Sequence, residues 1–286
     1  KGLVEMKAEK ITKTVVYHVL VCGLGLVMLY PLIWMFMSSF KETTSIFRTA
    51  GSLVPEQFTI ANYTNGWRGM GGVSFASFFG NSLLISLTAT LGTLASSALV
   101  AFGLSRCKFR GKGILHVAML ASMMLPGQIL MVPQYLWYQK LGWVGSYAPL
   151  IVPYCFAVQG FFVFLFMNFM EGIPRELDEA AKIDGCSYYG IFFRIVLPLV
   201  SPALITGAIF SFMWRWDDFM SALLYINDVA KYPVSLALKL FSDPGSSSDF
   251  GSMFAMSVVS LIPIVLVFII FQKYLVEGIA STGIKG

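Results

Sequence analysis

The sequence has little charge and few histidines, and both shortages restrict what the protein can be. Charged residues make up 12% of its 286 residues, whereas hydrophobic residues make up 57%. A soluble domain carries about 25% charged residues, so lipid is expected to surround most of this chain. The two histidines, His18 and His116, belong to no metal-binding or catalytic pattern. This shortage argues against a membrane enzyme.

Two chemical motifs are also missing. The chain contains no GxxxxGK[ST] phosphate loop, and its predicted cytoplasmic segments are too short to form a nucleotide-binding domain. Its cysteines (Cys22, Cys107, Cys155 and Cys186) include no CxxC pair, which argues against a disulfide framework or a metal site. We expect them to be small core residues. No cofactor or metal is predicted to bind this chain.

Long apolar runs are abundant. Roughly 20 mainly apolar residues cross about 30 Å of hydrocarbon, and the segments that reach this length are 14–40, 78–104, 114–134, 147–170, 199–226 and 251–275. Each should be helical, because a helix satisfies its own backbone hydrogen bonds in lipid. The first run is too long for the apolar core of a signal peptide, so we interpret it as an uncleaved span. The predicted fold is an all-α membrane protein with about six transmembrane helices.

Lysine and arginine are distributed unevenly among the loops, which predicts the orientation of the spans. Most lie in the N-terminal segment, the second and fourth loops and the C-terminus: Lys1, Lys7, Lys10, Lys13, Arg106, Lys108, Arg110, Lys112, Arg175, Lys182, Arg194, Lys273 and Lys285. Fewer lie on the other side: Lys41, Arg48, Arg68, Lys140, Lys231 and Lys239. Both termini are therefore expected in the cytoplasm, and the net charge of +5 reflects topology rather than nucleic-acid binding.

The spans divide the chain into three predicted parts. Residues 1–77 hold the cytoplasmic N-terminus, the first span and an external segment (41–77) that we expect to lie on the surface without forming a domain. Residues 78–275 form a five-helix core with a cytoplasmic loop at 171–198, and residues 276–286 form a cytoplasmic tail. Small residues recur through the second span, which favours a central helix packed on all sides. Prolines within the spans predict kinks around an internal path: Pro31, Pro126, Pro133, Pro153 and Pro263.

The loop between the fourth and fifth spans has the most specific pattern. From Glu179 to Pro198 it reads EAAKIDGCSYYGIFFRIVLP. Pro174 suits a first helical position, acidic residues follow it near the positive end of the helix dipole, and Gly185 can take the left-handed conformation that ends a helix. We predict a helix of about three turns over 174–184 and a second over 187–196, lying along the membrane face.

This loop resembles the EAA loop of ABC importer permeases of the binding-protein-dependent (type I) family. The resemblance implies a coupling helix seated in a cleft of an ATPase subunit, which would carry ATP and Mg. The implied coupling residues are Arg175, Glu179, Ala180, Ala181, Lys182, Asp184, Gly185, Ile195, Leu197 and Pro198. The alanines would allow close approach, and the charged residues would fix the register. An ordinary amphipathic loop helix is the alternative.

Other stretches resemble the maltose-type, carbohydrate branch of this family: 30–34 (YPLIW), 38–41 (SSFK), 79–83 (FGNSL), 272–278 (QKYLVEG) and 283–286 (GIKG). Residues 279–282 depart from the family's usual tail. The resemblance implies a type I importer permease fold in a bacterial cytoplasmic (inner) membrane. The implied partners are a second homologous permease, two nucleotide-binding ATPase subunits and an extracytoplasmic solute-binding protein, which the loop 227–250 would touch. A plain flexible linker is the other interpretation of that loop, which includes 243–248 (DPGSSS).

Charge inside a span is costly and therefore marks a candidate functional site. On a continuous helix Trp214, Asp217 and Asp218 share one face, and Arg215 can pair with Asp218. Aromatic rings and carboxylates suit a sugar, although an interfacial aromatic belt would look the same. The candidates for a translocation path or gate are Asn81, Trp214, Trp216, Asp217 and Asp218. Gln128, Gln159 and Asn168 are further intramembrane amides, which more often bridge helices than touch solute.

The sequence thus predicts a permease subunit, not itself an enzyme, that imports a sugar or oligosaccharide. A permease for a polyamine or glycerol phosphate is one alternative. The other is a self-contained ion-coupled carrier or channel, which would transport without any ATPase.

Overall fold

The computed structural model describes the backbone of residues 2–242 and 248–283 and the side chains of residues 12–242 and 248–273. Residues 243–247 of the possible flexible linker, the closing residues 284–286 and the side chains of Lys7 and Lys10 lie outside this range. Helices account for the regular structure of the described residues, which contain no strand beyond an isolated bridge between Met70 and Val73. The prediction of an all-α protein is confirmed.

The described α-helices are α1 (Gly2–Ser38), α2 (Ala61–Arg68), α3 (Phe75–Arg106), α4 (Lys112–Met124), α5 (Gly127–Lys140), α6 (Ala148–Ile151), α7 (Gly160–Glu171), α8 (Glu176–Ile183), α9 (Tyr188–Ile191), α10 (Leu197–Leu199), α11 (Ser201–Trp216), α12 (Phe219–Tyr225), α13 (Val234–Ala237) and α14 (Phe250–Gly283). Tight 3-10 turns occupy Val152–Phe156, Val229–Lys231 and Leu238–Ser242, and a wider π turn occupies Phe192–Val196.

Four helical stretches of the described chain are long and apolar enough to cross a membrane: Thr12–Ser38, Phe75–Arg106, Ala148–Glu171 and Phe250–Lys273. The predicted span 114–134 corresponds to a bent helix pair, α4 and α5, which meet at 103°. The predicted span 199–226 is interrupted after Trp216, and α11 forms its bent pair with Tyr188–Leu199, at 75°. The first break falls at Pro126, whose ring disfavours helical backbone at the preceding Leu125. Pro31, Pro133 and Pro263 instead lie inside helices.

The chain divides into two compact units. One comprises Lys1–Arg68 with Phe241–Val259, and the other comprises Gly69–Leu240 with Ser260–Gly286.

In the first unit, the segment after α1 is folded. The ammonium group of Lys41 is buried and donates to the carbonyls of Thr49 and Ser52 at 3.0 and 2.6 Å. The Asn62 amide donates to the carbonyls of Ser39 and Lys41 at 2.8 and 2.7 Å. A buried charge needs such partners. Most residues of 41–68 are nevertheless exposed or half-buried, so the prediction that this segment lies on the surface without forming a domain stays a prediction.

The start of α14 is fixed to the same unit by Asp249. Its carboxylate accepts from the hydroxyl of Thr43 at 2.9 Å and from the backbone N–H of Ser252 at 3.0 Å. Burial raises the pKa of this carboxyl, but the hydrogen bonds from Ser252 and Thr43 outweigh burial and hold the pKa below its usual value.

In the second unit, α3 packs against α7, α11 and the turn Val152–Phe156. Small residues of α3 allow this close approach, as predicted; a Cβ on Gly92 would lie 2.6 Å from Sγ and 3.3 Å from Cα of Cys155 in that turn. The prediction that α3 is packed on all sides is wrong, because Leu84, Leu87 and Leu91 are about half or more exposed. These leucines form an apolar stripe suited to lipid or to another subunit.

The cysteines do not behave as a group. Cys22 and Cys155 are exposed, and Cys107 and Cys186 are partly buried and free. The prediction of small core residues is therefore wrong for the first two, whose helices present them at the surface of the described chain.

Candidate functional site

The loop predicted to couple to an ATPase begins with helix α8. The amides of Asp178 and Glu179 donate to the carbonyl of Arg175 at 3.0 and 3.1 Å, so Arg175 caps a helix that begins at Glu176. The predicted start at Pro174 and length of three turns are wrong. The helix has eight residues, just over two turns. The three acidic residues expected near its start do lie in its first turn.

The end of α8 follows the sequence closely. Gly185 has φ of +80°, the left-handed conformation that favours glycine. The Cys186 amide donates to the Ala181 carbonyl at 2.8 Å, and the Gly185 amide donates to the Lys182 carbonyl at 3.0 Å. This pair of bonds is the Schellman motif. It turns the chain sharply and directs the following residues back toward α3.

The predicted second helix, 187–196, is not continuous. Ser187 caps α9 through its hydroxyl, which accepts from the Gly190 amide at 3.3 Å. A π turn follows, in which the Leu197 amide donates to the carbonyl of Phe192, five residues back. Pro198 explains this widening, because it lacks an N–H and its ring would collide with the carbonyl four residues earlier.

The predicted coupling residues divide into an exposed and an inward-facing group. Glu179, Ala180, Lys182 and Asp184 are exposed, whereas Ala181 is 6% exposed and lies in the core cluster with Ile191 and Phe192. Ile195 and Leu197 pack against the same cluster, and Pro198 is exposed. Only Ala180 of the two alanines can therefore approach a partner. Ile183 and Tyr189, which sequence reasoning missed, add exposed apolar surface to the same loop.

A buried ion pair joins α8 to the end of α3. The Nη1 atom of Arg106 lies 3.1 Å from Oδ2 of Asp178, and the two side chains are 2% and 8% exposed. Arg106 also donates from Nη2 to the carbonyls of Met170 and of Ile173, the latter at 2.8 Å. Arg175 adds a bond from its own Nη2 to the carbonyl of Ser105 at 2.7 Å. Several charge-assisted bonds thus tie the loop to α3 and α7.

Sequence reasoning treated Arg106 only as a determinant of orientation and Asp178 only as a charge near a helix start. The available signal was position: Arg106 is the last residue of a long apolar helix, and Asp178 is the acidic residue of α8 one turn before the buried Ala181. Residues three or four apart share a helix face. Asp178 could therefore have been assigned to the inward face.

A cavity of about 430 Å³ lies among α5, the α6 region, α11 and α12. Its polar lining includes Gln128, Gln134, Tyr138, Tyr154, Arg215 and Asp218, with Trp214 contributing an aromatic surface. The lining contains one cation and one carboxylate, and these two groups form an ion pair. The cavity therefore offers aromatic faces, amides and hydroxyls without net charge.

Arg215 is the centre of this cavity's polar network. Its Nη1 atom lies 3.1 Å from Oδ2 of Asp218 and donates to the Tyr154 hydroxyl, while its guanidinium lies 4.2 Å from the centre of the Tyr154 ring. Asp218 in turn accepts from the Ser221 amide at 3.0 Å and so caps α12. The predicted pairing of Arg215 with Asp218 is confirmed.

The remaining candidates for the path are dispersed. Helix α11 ends at Trp216 because Asp218 caps the next helix, so the predicted face of Trp214, Asp217 and Asp218 does not form. Trp216 is buried and donates from Nε1 to the Ser260 carbonyl at 3.0 Å. Asp217 does not line the cavity, whereas Trp214 and Asp218 do.

Asn81 lies elsewhere as well. Its amide donates to the carbonyls of Ala230 and Tyr232 at 2.9 and 3.1 Å, so it bridges α3 to the loop that follows α12. Lys231 of that loop donates to the Gly145 carbonyl at 2.9 Å. The interpretation of the loop as a plain flexible linker is therefore wrong for its part up to residue 240. The amides Gln159 and Asn168 do not line the cavity, but Gln128 does.

A bundle of apolar helices with a capped, exposed loop helix and a polar cavity without net charge defines a membrane transport subunit. The family described as the binding-protein-dependent transport system inner membrane component matches residues 93–281. The chain belongs to this family of ABC importer permeases, and the predicted family and multi-pass membrane location are confirmed.

Relatives and solved structures agree with this assignment. The chain is 38% identical over 257 residues to the probable ABC transporter permease protein YurM of Bacillus subtilis, covering 90% of this chain and 84% of YurM. It is 31% identical to the trehalose/maltose transport system permease MalG of Thermococcus litoralis, covering 97% and 99% of the two chains. A bacterial ABC transporter that imports alginate has the same fold, with a TM-score of 0.79, 24% identity and coverage of 91% and 95%.

Proposed function

We propose that this chain is the membrane-spanning subunit of an ATP-driven importer of a sugar or oligosaccharide. The observation that carries the proposal is the occurrence, in one unit, of α8, an exposed loop helix fixed by a buried ion pair, and of a polar cavity without net charge. Relatives named for transport of trehalose and maltose, of arabinooligosaccharides and of diacetylchitobiose support the solute class.

The chemistry of the cavity suits an uncharged polyhydroxylated solute. Amides and tyrosine hydroxyls can exchange hydrogen bonds with sugar hydroxyls, and an aromatic face can pack against the apolar face of a sugar ring. Arg215 pairs with Asp218 and donates to Tyr154 through Nη1, so the charged lining of the cavity is balanced and does not favour an acidic solute. The charge balance equally disfavours a polyamine or glycerol phosphate.

Energy would enter through α8. In this proposal, ATP and Mg bind to two partner ATPase subunits, and a cleft of each subunit holds a coupling helix such as α8. The exposed Glu179, Ala180 and Lys182 would contact that cleft, and Arg175 would help to hold the helix in place. Movement of α8 would reach α3 and α7 through Arg106, because this arginine bonds to groups on both sides of the joint.

The other partners would be a second homologous permease and an extracytoplasmic solute-binding protein. The basic N-terminal segment, the loop 107–111 and α8 would lie in the cytoplasm together with the C-terminus. Solute would pass from the binding protein into a cavity shared by the two permeases, and the spans would alternate between outward-open and inward-open arrangements.

Reconstitution into liposomes tests this proposal. Liposomes that contain the chain, its partner permease and the ATPases, with the binding protein outside, are expected to take up a labelled neutral oligosaccharide. Uptake should require ATP on the side of the membrane where the ATPases lie. A putrescine or glycerol phosphate arm tests the solute class. Uptake by this chain alone, without ATPase subunits, would instead establish a self-contained carrier or channel.

A further inference from the structure

A second polar cavity lies between the end of α3 and α8. It has a volume of about 540 Å³, and its charged lining consists of Arg106, Lys108, Lys112, Arg175 and Lys182 with Asp178 and Glu179. We infer that this cavity, which we call the α3–α8 cavity, binds a phosphate ester that also carries hydroxyl groups. The inference concerns a site separate from the solute cavity and does not depend on the solute transported.

The charge balance of the α3–α8 cavity favours an anion. Asp178 is engaged with Arg106 at 3.1 Å, which leaves Glu179 as the other carboxylate among the lining residues. Four cations remain opposite it, from the loop 107–111, the start of α4 and both ends of α8. Arginine and lysine side chains converging on one cavity are the usual means of holding a phosphate group.

Two buried atoms of the lining lack partners within the described residues. The Nε atom of Arg106 donates to no acceptor, although the residue is only 5% exposed, and Oδ1 of Asp178 accepts from no donor, although that residue is 6% exposed. An orphaned donor and an orphaned acceptor in one cavity call for a ligand that supplies both roles. Phosphate oxygens would accept from Arg106, and a neighbouring hydroxyl would donate to Asp178.

The position of the α3–α8 cavity favours a lipid headgroup as the source of this phosphate. The loop 107–111 joins α3 to α4, the ends of two apolar helices, and therefore lies where a membrane surface would run. Basic cavities beside the ends of transmembrane helices are established sites for anionic headgroups. A glycerol phosphate headgroup has both the phosphate and the hydroxyls that the orphaned atoms require. A soluble phosphate ester shares that chemistry.

Native mass spectrometry of the full chain provides the test. The probes are phosphatidylglycerol, phosphatidylcholine with the same acyl chains, and soluble glycerol phosphate. Lys108→Gln is compared with Arg110→Gln, because Arg110 belongs to the same loop but does not line the cavity. We expect Lys108→Gln to weaken phosphatidylglycerol binding by about tenfold, the effect of losing one charge-assisted contact. Arg110→Gln should leave it within about twofold, and Lys108→Arg should restore it.

The outcomes separate the sources. Preferential, Lys108-dependent binding of phosphatidylglycerol supports the lipid, and Lys108-dependent binding of soluble glycerol phosphate supports the site with a free ligand. Equal binding of both lipids together with no effect of glycerol phosphate would overturn the inference, as would equal losses in Lys108→Gln and Arg110→Gln. Loss of the lipid adduct on assembly with the ATPase subunits would also overturn it, because the cavity would then belong to that interface.

Discussion

Arg106 of α3 and Asp178 of α8 form a buried ion pair, with Nη1 and Oδ2 3.1 Å apart. The pair sits where a loop helix meets two membrane helices, and Arg106 simultaneously satisfies the carbonyls of Met170 and Ile173. Removal of one partner leaves the other charge buried and unpaired, which typically costs about 3–5 kcal/mol. The joint therefore holds α8 in one position relative to α3 and α7.

Replacing Arg106 tests this joint. We expect Arg106→Met to destabilise the loop by about 3–5 kcal/mol, because it leaves Asp178 buried without a cation. The unfolding temperature in detergent and the rate of ATP-driven uptake should both decrease. Arg110→Met, in the adjoining exposed part of the loop, is the matched control and should change neither. The double variant Arg106→Met with Asp178→Leu should be less destabilised than Arg106→Met alone. An unchanged melting temperature in Arg106→Met would refute the role of the ion pair.

Gly185 provides a test that depends on backbone conformation alone. Its φ is +80°, and a Cβ added there would meet no atom within 4 Å. A β-branched residue should therefore cost about 1–2 kcal/mol through the left-handed conformation without any collision. Gly185→Val is expected to reduce uptake while leaving membrane insertion intact.

Gly185→Asn is the matched variant, because asparagine tolerates the left-handed region better than other side chains. Its uptake should lie near that of the unaltered protein. If valine and asparagine behaved alike, the end of α8 would not depend on the Schellman geometry.

Arg215 tests the solute cavity. Arg215→Gln removes the charge that balances Asp218 and the stacking partner of the Tyr154 ring. We expect the apparent KM for solute to rise by about tenfold or more, as lost charged hydrogen bonds are worth about 1.5–3 kcal/mol. Arg215→Lys should be intermediate, because it keeps the charge but not the planar stacking.

The control for Arg215 is Arg194→Gln, which removes an exposed arginine that does not line the cavity. Uptake measured over a range of solute concentrations gives the apparent KM of both variants. A KM unchanged in Arg215→Gln would remove this cavity from the path.

Gly207 tests the packing of the core helices. A Cβ there would lie 2.6 Å from Cζ of Phe166, so Gly207→Ala should destabilise the core by about 1–3 kcal/mol. Gly80→Ala is the matched control on α3, where nothing lies within 4 Å. Unfolding temperatures in detergent provide the comparison. Combining Gly207→Ala with Phe166→Leu should recover part of the loss, and no recovery would mean that the collision is not the cause.

Hydropathy predicted the helical nature of the spans because lipid leaves the backbone few alternatives, but it did not predict the sharp bends at which two helix pairs break. The end of α8 was likewise predicted from Gly185, because that turn depends only on the backbone conformation of one residue. The Schellman bonds at Ala181 and Lys182 followed from that residue alone. Local chemistry of this kind can be predicted from a single sequence.

Features set by distant residues could not be predicted. The burial of Lys41 depends on carbonyls at Thr49 and Ser52 that turn back over it. The end of α11 depends on Asp218 capping the next helix rather than continuing the first. Arg106 and Asp178 are 72 positions apart in the chain, and no periodic pattern links them. Such pairings arise only when the helices are packed.

The central claim is that α8 is the element that binds to the ATPase subunit. A photo-crosslinking amino acid at Ala180, which is exposed, tests it most directly in membranes that contain the assembled transporter. The matched position is Phe58, an exposed residue on the segment that follows α1. We predict an adduct between position 180 and the ATPase subunit and none from position 58. Absence of an ATPase adduct from position 180 would contradict the account. So would reaction of a cysteine at position 180 with a reagent that is confined to the outside of the cell.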